Sequence, residues 1–238
     1  MLPPFHWWRT VFYLIPAITL YTVVLGTTSL LSTLVDRQGN FAHRCARAWA
    51  RLILATTGVR VRVTGLDRLQ PNRSYVFAAN HQSIYDIPII FSALPFQLRI
   101  VAKESLGRIP FMGWHLHRAG HLLVDRRNPG ADIVQKMARL VREGNSLIVF
   151  PEGTRSVNGE LGRFKKGSFL VAMGSQLPIV PVTITGSRHV MTKGRLMVCP
   201  GEVEVTVHEP VPTDGLQRED VRGLSDRVRS RVASAQMR

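Results

Sequence analysis

The 26 residues from Thr10 to Val35 contain no charged side chain and no histidine, and this run restricts what the chain can fold into. A helix needs about 20 apolar residues to cross the core of a bilayer, so the run is long enough. Pro16 and Gly26 interrupt it, and several threonines make it only moderately hydrophobic. We therefore expect a helix that spans a membrane or dips into one leaflet. A helix buried in a soluble core is the alternative.

A second segment, residues 41–53, has the pattern of an amphipathic helix. On a helical wheel, His43, Arg44, Arg47 and Arg51 share one side, and apolar residues fill the other. This pattern is typical of helices that lie in a membrane interface, although a helix packed on a soluble core can share it. Arginines are frequent after the apolar run, so the positive-inside rule places the remainder of the chain on the cytoplasmic side.

The net charge of +15 indicates an anionic partner. Nucleic acid, anionic lipid headgroups and an acidic carrier protein all meet that condition, and charge alone would favour nucleic acid. The apolar run reverses this preference, because nucleic-acid binding does not explain it. Hydrophobic residues make up 45% of the chain and charged residues 20%, which excludes an intrinsically disordered protein.

Strand and helix patterns alternate through the rest of the chain. Segments of strand length recur at residues 59–64, 74–79, 98–102, 121–124, 147–150, 179–184 and 203–207. Residues 131–143 have helical periodicity, and residues 215–237 are predicted to form an arginine-rich surface helix. This alternation predicts an α/β fold with a mixed sheet flanked by helices. We expect one such domain at residues 58–238, preceded by a membrane anchor at residues 1–57.

His81 and Asp86 are five residues apart. Whether they can form a catalytic pair depends on the backbone between them. On a regular helix the two side chains would point roughly 140° apart and could not meet. They can meet if His81 lies in the loop after a strand and Asp86 begins the next helix, where Pro88 suits the first turn. The alternatives are that Asp86 caps the helix or forms a capping box with Ser83, and that His81 is a polar loop residue.

Three further stretches accompany this pair: Lys103 to Gly113, Phe150 to Ser156, and Leu177 to Val182. The second follows an apolar strand, where the ligand-binding loops of α/β proteins usually lie. In it, Gly153 permits a tight backbone path, and Arg155 carries a planar fork of donors that suits a phosphate group. Taken alone, this stretch could also be an ordinary surface turn.

The order and spacing of the four stretches resemble those of the 1-acylglycerol-3-phosphate acyltransferases, which are glycerolipid acyltransferases. Residues 103–113 match the Lys-x-x-Leu-x-x-x-Pro-x-x-Gly pattern of that family at every fixed position, and the resemblance covers residues 58–207. It implies transfer of a fatty acyl group from acyl-ACP or acyl-CoA to the sn-2 hydroxyl of 1-acyl-sn-glycerol 3-phosphate, which forms phosphatidate. It also favours a two-helix anchor that dips into one leaflet.

In this reaction His81 would be the general base and Asp86 the carboxylate that orients it. An alcohol is too weakly acidic to attack a thioester unassisted, and an imidazole can accept its proton as the attack begins. A carboxylate on the other ring nitrogen fixes the tautomer and stabilises the imidazolium. Because no serine or cysteine nucleophile is needed, we expect direct transfer from donor to acceptor.

The resemblance implies two further sets of site residues. The predicted substrate-binding residues are Lys103, Arg126, Glu152, Gly153, Thr154 and Arg155. The predicted walls of an acyl tunnel are Leu106, Pro110, Phe111, Gly113 and Trp114. Arg126 and Arg155 are the expected phosphate ligands, while Glu152 is expected either to bond to a substrate hydroxyl or to hold its loop.

The expected partners are membrane lipids, namely lysophosphatidate and anionic phospholipids, and an acyl carrier protein or coenzyme A thioester. No metal, no other cofactor and no nucleic acid are expected, although His115, His117 and His121 lie close together in the sequence. The expected location is the inner membrane of a bacterium, with the catalytic domain facing the cytoplasm. Another lyso-lipid acceptor, such as lyso-ornithine lipid or a lysophospholipid, is the close alternative. A basic nucleic-acid-binding protein is the distant one.

Overall fold

The computed structural model describes residues 4–36, 39–110, 112–124, 133–174 and 176–236. Its centre is a seven-stranded sheet. The strands are β1 (Val59–Thr64), β2 (Val76–Ala79), β3 (Leu98–Lys103), β4 (Leu122–Val124), β5 (Ser146–Val149), β6 (Ile179–Thr185) and β7 (Gly201–Val207). Each strand overlaps a segment that was predicted to be one, and the predicted α/β class is confirmed.

The order of the strands in the sheet is β1-β7-β6-β2-β5-β3-β4. The strands from β6 to β4 are parallel to one another, whereas β7 runs antiparallel to β6 and parallel to β1. The sheet is therefore mixed, as predicted. The carboxyl ends of the parallel strands share one edge, where the ligand sites of α/β proteins form. His81, Lys103 and Pro151 all lie at that edge.

Helices cover both faces of the sheet. In chain order they are α1 (Phe5–Arg9), α2 (Ile15–Ser32), α3 (Asn40–Thr57), α4 (Asp86–Ala93), α5 (Met112–Arg118), α6 (Ile133–Arg142), α7 (Gly167–Gly174), α8 (Ser187–Val190) and α9 (Val221–Gln236). A π-helical stretch, Thr10–Leu14, joins α1 to α2, so the first helix is continuous from Phe5 to Ser32. Short 3₁₀ turns lie at Leu66–Arg68, Glu104–Arg108 and Arg218–Asp220.

The sheet separates two apolar cores, because successive side chains of a strand point to opposite faces. Phe77 and Ala79 of β2 share one core with buried side chains of α3 and α4. Val76 and Ala78 of the same strand belong to the other core, which α7 and α9 cover. Cover on both faces is expected for a sheet with central parallel strands, since each of its faces is apolar.

The C-terminal helix α9 is shorter than predicted and does more than lie on the surface. It begins at Val221, and its apolar residues form a stripe that is buried against the sheet: Val221, Leu224, Val228 and Val232. These spacings place the four side chains on one side of a helix. The hydroxyl of Thr183 in β6 donates a hydrogen bond of 2.9 Å to the carbonyl of Val232, which fixes the helix to the strand.

The helices α2 and α3 pack against each other as a hairpin. The indole Nε1 of Trp49 donates to Thr22 Oγ1 at 3.0 Å, and Arg9 Nη2 donates to the carbonyl of Thr57 at 2.8 Å. The second contact satisfies one of the carbonyl groups that the last turn of α3 leaves free. The apolar run therefore forms one helix of a two-helix hairpin with α3.

This hairpin also packs along the α/β domain. Thr10 Oγ1 accepts the N–H of Val198 at 2.9 Å, and Ser29 Oγ lies 2.7 Å from His115 Nδ1. Leu14 of the first helix belongs to the same apolar core as the strands. The predicted boundary after residue 57 thus does not separate two independently packed units.

Much of the apolar side of α3 packs on α2 and α4, although Phe41 and Leu52 are exposed. Arg44 and Arg51 are exposed, but His43 leaves the basic side predicted for it and is partly buried beside Phe91. By length and composition the helix Phe5–Ser32 could cross a membrane. It carries much of the exposed apolar surface, at Phe5, Trp8, Phe12, Tyr13, Ile15, Leu20, Val24 and Leu31.

Candidate active site

The loop after β2 begins with Asn80, a buried side chain that joins two strands. Its Nδ2 donates to the carbonyl of Ile184 at 2.8 Å, and its Oδ1 accepts the N–H of the same residue at 2.7 Å. Because both contacts go to β6, the carboxyl end of β2 is held at a fixed position. Sequence reasoning did not assign a role to Asn80, although an amide at the end of a fully apolar strand was a detectable signal.

His81 and Asp86 come together as predicted, with His81 in the loop and Asp86 as the first residue of α4. The ring nitrogen Nδ1 of His81 lies 2.7 Å from Oδ2 of Asp86. Asp86 is fully buried, whereas the side chain of His81 is 12% exposed. In the described part of the chain no group hydrogen-bonds to Nε2 of His81, so this nitrogen can receive a proton from a bound alcohol.

The same Asp86 oxygen holds the turn that contains the histidine. Oδ2 also accepts the backbone N–H groups of Gln82 at 2.7 Å and Ser83 at 2.9 Å. Tyr85, not Asp86, occupies the N-cap position of α4, and the hydroxyl of Ser83 donates to the carbonyl of Met191. Asp86 is thus not the N-cap, and only the carboxylate half of the capping box predicted with Ser83 is present, because Ser83 Oγ bonds to Met191 and Tyr85 instead of accepting the N–H of Asp86.

Two contacts from the loop after β5 fix His81 from the other side. Its ring stacks on Phe150, with ring centroids 4.2 Å apart and planes inclined by 23°. Its backbone N–H donates to Oε1 of Glu152 at 2.8 Å, and Oε2 of Glu152 accepts the N–H of Gly162 at 2.8 Å. Two roles were expected for Glu152. The contacts that hold its loop are present, and a bond to a substrate hydroxyl stays a prediction.

Glu152 is buried, and burial raises the pKa of its carboxyl group above the usual value. The hydrogen bonds from Gly162 and His81 act in the opposite direction, because they stabilise the carboxylate. These bonds therefore reduce the tendency of the buried group to take up a proton.

Arg155 lies beside the His81–Asp86 pair, since the N–H of the next residue, Ser156, donates to the carbonyl of His81 at 2.8 Å. Lys193 Nζ donates to the carbonyl of Arg155 at 2.9 Å and to Thr154 Oγ1 at 3.2 Å. No hydrogen bond or ion pair to a described residue occupies the guanidinium of Arg155. Lys193 was not predicted, because it is distant from the motif in sequence.

Gly153 has the backbone conformation that its position in this turn requires. Its φ is +72°, and a Cβ atom there would lie 2.8 Å from Lys165 Nζ. A residue other than glycine would be strained in this conformation and would also displace the lysine. The tight backbone path that was predicted for Gly153 is therefore present.

An apolar cavity of about 380 Å³ lies between the helix hairpin and the sheet. Ile84, Tyr85 and Met191, which flank the His81 loop, line it near the carboxyl edge of the parallel strands. Leu14, Ile18, Trp49 and Phe91 are among its walls. His121 precedes β4 and lines the cavity toward the opposite edge of the sheet. The cavity thus extends from the catalytic loop along the sheet.

The residues predicted to line an acyl tunnel are divided by the structure. Leu106 lies in the cavity wall, whereas Pro110 and Trp114 are exposed and lie outside it. Gly113 is buried, with no room for a side chain against the backbone of Gly107. Phe111 lies outside the described residues. A large part of the wall comes from α2 and α3, whose contribution to the site the motifs could not reveal.

For two predicted substrate ligands, Lys103 and Arg126, the side chain lies outside the described part of the structure. Lys103 ends β3 at the catalytic edge, but the position of its side chain is not described. Arg126 lies outside the described residues. Their contacts with a phosphate group stay predictions.

A group of histidines lies around Arg99, away from the catalytic edge. Burial, and then the positive charge of Arg99, lower the pKa of His115 to about 4. Burial also lowers the pKa of His43 to about 4 and that of His121 well below its usual value. His121 Nδ1 accepts the N–H of Ile100 at 3.0 Å. Within the described ranges, no group of three or more histidine, cysteine, aspartate or glutamate side chains is arranged to hold a metal ion.

Comparison with known proteins places this chain in a family. The family model described as "Acyltransferase" matches residues 60–185. The human 1-acyl-sn-glycerol-3-phosphate acyltransferase alpha is 35% identical over 175 residues, which cover 72% of this chain and 62% of that protein. The 1-acyl-sn-glycerol-3-phosphate acyltransferase of Saccharomyces cerevisiae is 31% identical over 209 residues, which cover 86% of this chain and 69% of that protein.

A solved structure extends the similarity to nearly the whole fold. The crystal structure of the 1-acyl-sn-glycerophosphate (LPA) acyltransferase PlsC from Thermotoga maritima superposes with a TM-score of 0.82 and 29% identity, covering 96% of this chain and 95% of that one. The chain spans about three fifths of the length of its mammalian relatives, 62% of the human protein and 61% of the Bos taurus protein. The chain belongs to the acyltransferase family that includes the 1-acyl-sn-glycerol-3-phosphate acyltransferases.

Proposed function

We propose that the protein transfers a fatty acyl group from an acyl thioester to the sn-2 hydroxyl of 1-acyl-sn-glycerol 3-phosphate and so forms phosphatidate. One observation carries the proposal: the hydrogen-bonded His81–Asp86 pair stands where an apolar cavity meets a loop that carries Arg155. The names of the human and yeast relatives support this choice of acceptor.

His81 acts as the general base in the proposed reaction. Its Nε2 takes the proton of the sn-2 hydroxyl while the hydroxyl oxygen forms a bond to the thioester carbonyl carbon. The bond between that carbon and sulfur then breaks, and the imidazolium returns the proton to the thiolate. Asp86 holds the proton on Nδ1 and stabilises the imidazolium. Acyl transfer is therefore direct, with no acyl-enzyme intermediate.

Arg155 binds the phosphate group of the acceptor in this proposal. A phosphate monoester matches the planar fork of a guanidinium, and the loop places Arg155 beside the catalytic histidine. Lys103 and Arg126 are the further ligands that the motifs predict. Lys193 adds a positive charge at the same loop through its bonds to Thr154 and to the carbonyl of Arg155.

The apolar cavity takes a fatty acyl chain. Each methylene group transferred from water into such a cavity contributes roughly 0.8 kcal/mol. A chain bound there would be selected by length, since the cavity has a volume of only about 380 Å³. Leu106 is the member of the predicted tunnel that contributes to this wall.

Membrane association follows from the exposed apolar side of the first helix. We propose that this side dips into one leaflet, because the opposite side of the helix is docked on the domain along its length. Exposed Arg44 and Arg51 would then contact anionic headgroups. The proposed location is the cytoplasmic face of a bacterial inner membrane, with an acyl carrier protein or coenzyme A as the acyl carrier.

The test is an acyl-transfer assay on the purified chain in lipid vesicles, with both donors and a panel of lyso-lipids, and with mass detection of the products. We expect phosphatidate as the main product. His81→Ala should lower the rate by about 10²–10⁴-fold while the melting temperature stays close to that of the wild type. Preferred acylation of lyso-ornithine lipid or of a lysophospholipid would show a different acceptor, and no transfer to any acceptor would refute the proposal.

A further inference from the structure

Arg229 of α9 reaches the catalytic loop from outside the sequence motifs. Its Nη2 donates to the carbonyl of Leu161 at 2.8 Å, and its Nε donates to the carbonyl of Gly162 at 3.0 Å. Both carbonyl groups belong to the long loop after β5, which also carries Glu152 and Arg155. One guanidinium thus joins the C-terminal helix to this loop by two hydrogen bonds.

The helix that carries Arg229 is a fixed support. Val228, the preceding residue, is fully buried in the apolar stripe that packs on the sheet. Val232, one turn later, is also fully buried, and its carbonyl accepts the buried hydroxyl of Thr183 in β6. Arg229 therefore starts from a backbone that is tied to the central sheet, and its two hydrogen bonds transmit that position to the loop.

A continuous series of contacts leads from Arg229 to the catalytic base. Gly162, whose carbonyl accepts from Arg229, donates its N–H to Oε2 of Glu152 at 2.8 Å. The other oxygen of Glu152 accepts the backbone N–H of His81 at 2.8 Å. The backbone of Gly162 also lies close to the carboxylate, since a Cβ atom there would be 3.0 Å from Glu152 Oε2.

We propose that Arg229 is a positioning residue for His81 and acts through Gly162 and Glu152. Glu152 can orient the histidine backbone only if its second oxygen is itself held, and Gly162 supplies the observed contact for that purpose. Without Arg229, the peptide groups of Leu161 and Gly162 lose their link to α9. Misplacement of a catalytic group by about 1 Å can lower a rate about 10²-fold, so even a small shift of this loop has a large effect.

The rate part of this inference rests on the proposed acyltransferase function. Arg229→Ala should lower kcat by about 10- to 100-fold, and Arg229→Lys should recover part of it, because a lysine can still donate to one of the carbonyl groups. Arg227→Ala is the matched control, since Arg227 is exposed on the same helix and has the same charge. Equal kcat values, within about threefold, for Arg229→Ala and Arg227→Ala would overturn the inference.

A double-mutant cycle separates positioning through Glu152 from a general loss of stability. Glu152→Gln replaces one of the two accepting oxygens with a donor, so it breaks the series at its centre. In this background Arg229→Ala should add little further loss of kcat, because the contacts through which it acts are already broken. If the fold-loss of kcat in the double variant equals the product of the losses in the two single variants, Arg229 does not act through Glu152.

Hydrogen–deuterium exchange tests the same series without any assay of activity. In Arg229→Ala, peptides that contain His81 and Gly162 should exchange faster than in Arg227→Ala, while peptides of β1 and β7 should be unchanged. Unchanged exchange at His81 and Gly162 would overturn the inference even if the enzyme is active. If the wild type transfers no acyl group, the proposed function fails, and the exchange result still decides the role of Arg229.

Discussion

Asp86 receives three hydrogen bonds on one oxygen, from the ring of His81 and from the backbone N–H groups of Gln82 and Ser83. An asparagine could present its amide oxygen to the same donors but has no charge to stabilise an imidazolium. We expect Asp86→Asn to fold with a melting temperature near that of the wild type and to lose about 10²-fold or more of kcat. Full activity in this variant would show that Asp86 only orders the turn.

Arg155 can be tested by its effect on one of the two substrates. Arg155→Lys keeps the charge but replaces a planar fork with a point charge, so the phosphate-bearing acceptor should bind more weakly. We expect the acceptor KM to rise by about tenfold and the donor KM to change little. Steady-state kinetics with each substrate varied separately provides the measurement. Arg163→Lys is the matched control, because Arg163 is exposed in the same loop. A rise of the donor KM alone would move Arg155 to the donor site.

Among single residues, those whose own chemistry the proposed reaction needs were predictable from the sequence. Residues that only hold these in position were not. The spacing of His81 and Asp86 and the turn around Gly153 required particular geometry, so their patterns were informative. These supporting contacts are the hydrogen bonds of Asn80 to β6 and the contacts of Lys193 and Arg229. They depend on which strands and loops become neighbours. That information arises only when β2 and β6 lie side by side and α9 covers them.

Among the elements, the first helix has an exposed apolar side, and its contact with a membrane can be tested by replacing the apolar side chains. Phe12 is 67% exposed, Leu20 59% and Leu31 63%, so none of the three stabilises the soluble fold by deep burial. Transfer of each side chain into lipid contributes about 1.5–3 kcal/mol. Replacing all three with Asn should abolish flotation with neutral vesicles while the melting temperature stays unchanged. Arg44→Glu with Arg51→Glu is the matched comparison and should weaken flotation only with anionic vesicles at low salt.

Flotation of the triple Asn variant at the wild-type level would show that another surface contacts the membrane. Equal binding of the double Glu variant to neutral and anionic vesicles would remove the arginines from the interface. Together the two variants separate the insertion of apolar side chains by the first helix from the attraction of anionic lipid by α3.

Three histidines lie around Arg99: His43 in α3, His115 in α5, and His121 just before β4. Their lowered pKa values predict a loss of stability in acid. The pKa of His115 is about 4 in the fold, below the 6.5 of an unperturbed histidine, so the unfolded chain binds the proton more readily. Stability from this group is therefore complete above pH 6.5 and is lost as the pH falls from 6.5 toward 4. His43 acts in the same window, and the lowered pKa of the buried His121 acts in the same direction.

Melting temperatures measured between pH 8 and pH 4 should fall below about pH 6.5. His115→Asn, which retains a polar atom near Ser29, should flatten this decline, whereas the exposed His189→Asn should leave it unchanged. The same slope in His115→Asn and in the wild type would assign the acid sensitivity to other groups.

The elements themselves differ in how well their sequence patterns describe them. The alternation in β1 and the apolar runs of β2 and β5 require a sheet, and these strands were predicted close to their observed bounds. The patterns of α3 and α9 were read correctly as helical, but periodicity does not show what covers an apolar side. Protein covers the apolar side of α9, which packs on β6, and much of the apolar side of α3, which packs on α4.

At the scale of the whole molecule, the N-terminal hairpin and the α/β domain share a core and a cavity. Leu14 and Ile53 belong to the same buried cluster as strand residues such as Phe77. The cavity has walls from α2 and α3 on one side and from α4 and β3 on the other. The division of the sequence into anchor and catalytic domain followed the change in composition near residue 57, and composition does not report packing across such a change.

The helix α2 has one side toward the cavity, at Ile18 and Thr22, and an exposed side, at Leu20 and Val24. If that outer side contacts lipid, the lateral pressure and thickness of the leaflet act directly on a wall of the acyl cavity. The bilayer would then be an effector of the enzyme as well as its source of substrate. We expect the preference between short and long acyl donors to differ between thin and thick bilayers. Measured donor competition in the two vesicle types would show it, and identical preferences would show a rigid wall. Through such a response, the chain composition of a membrane would regulate the composition of the lipids added to it.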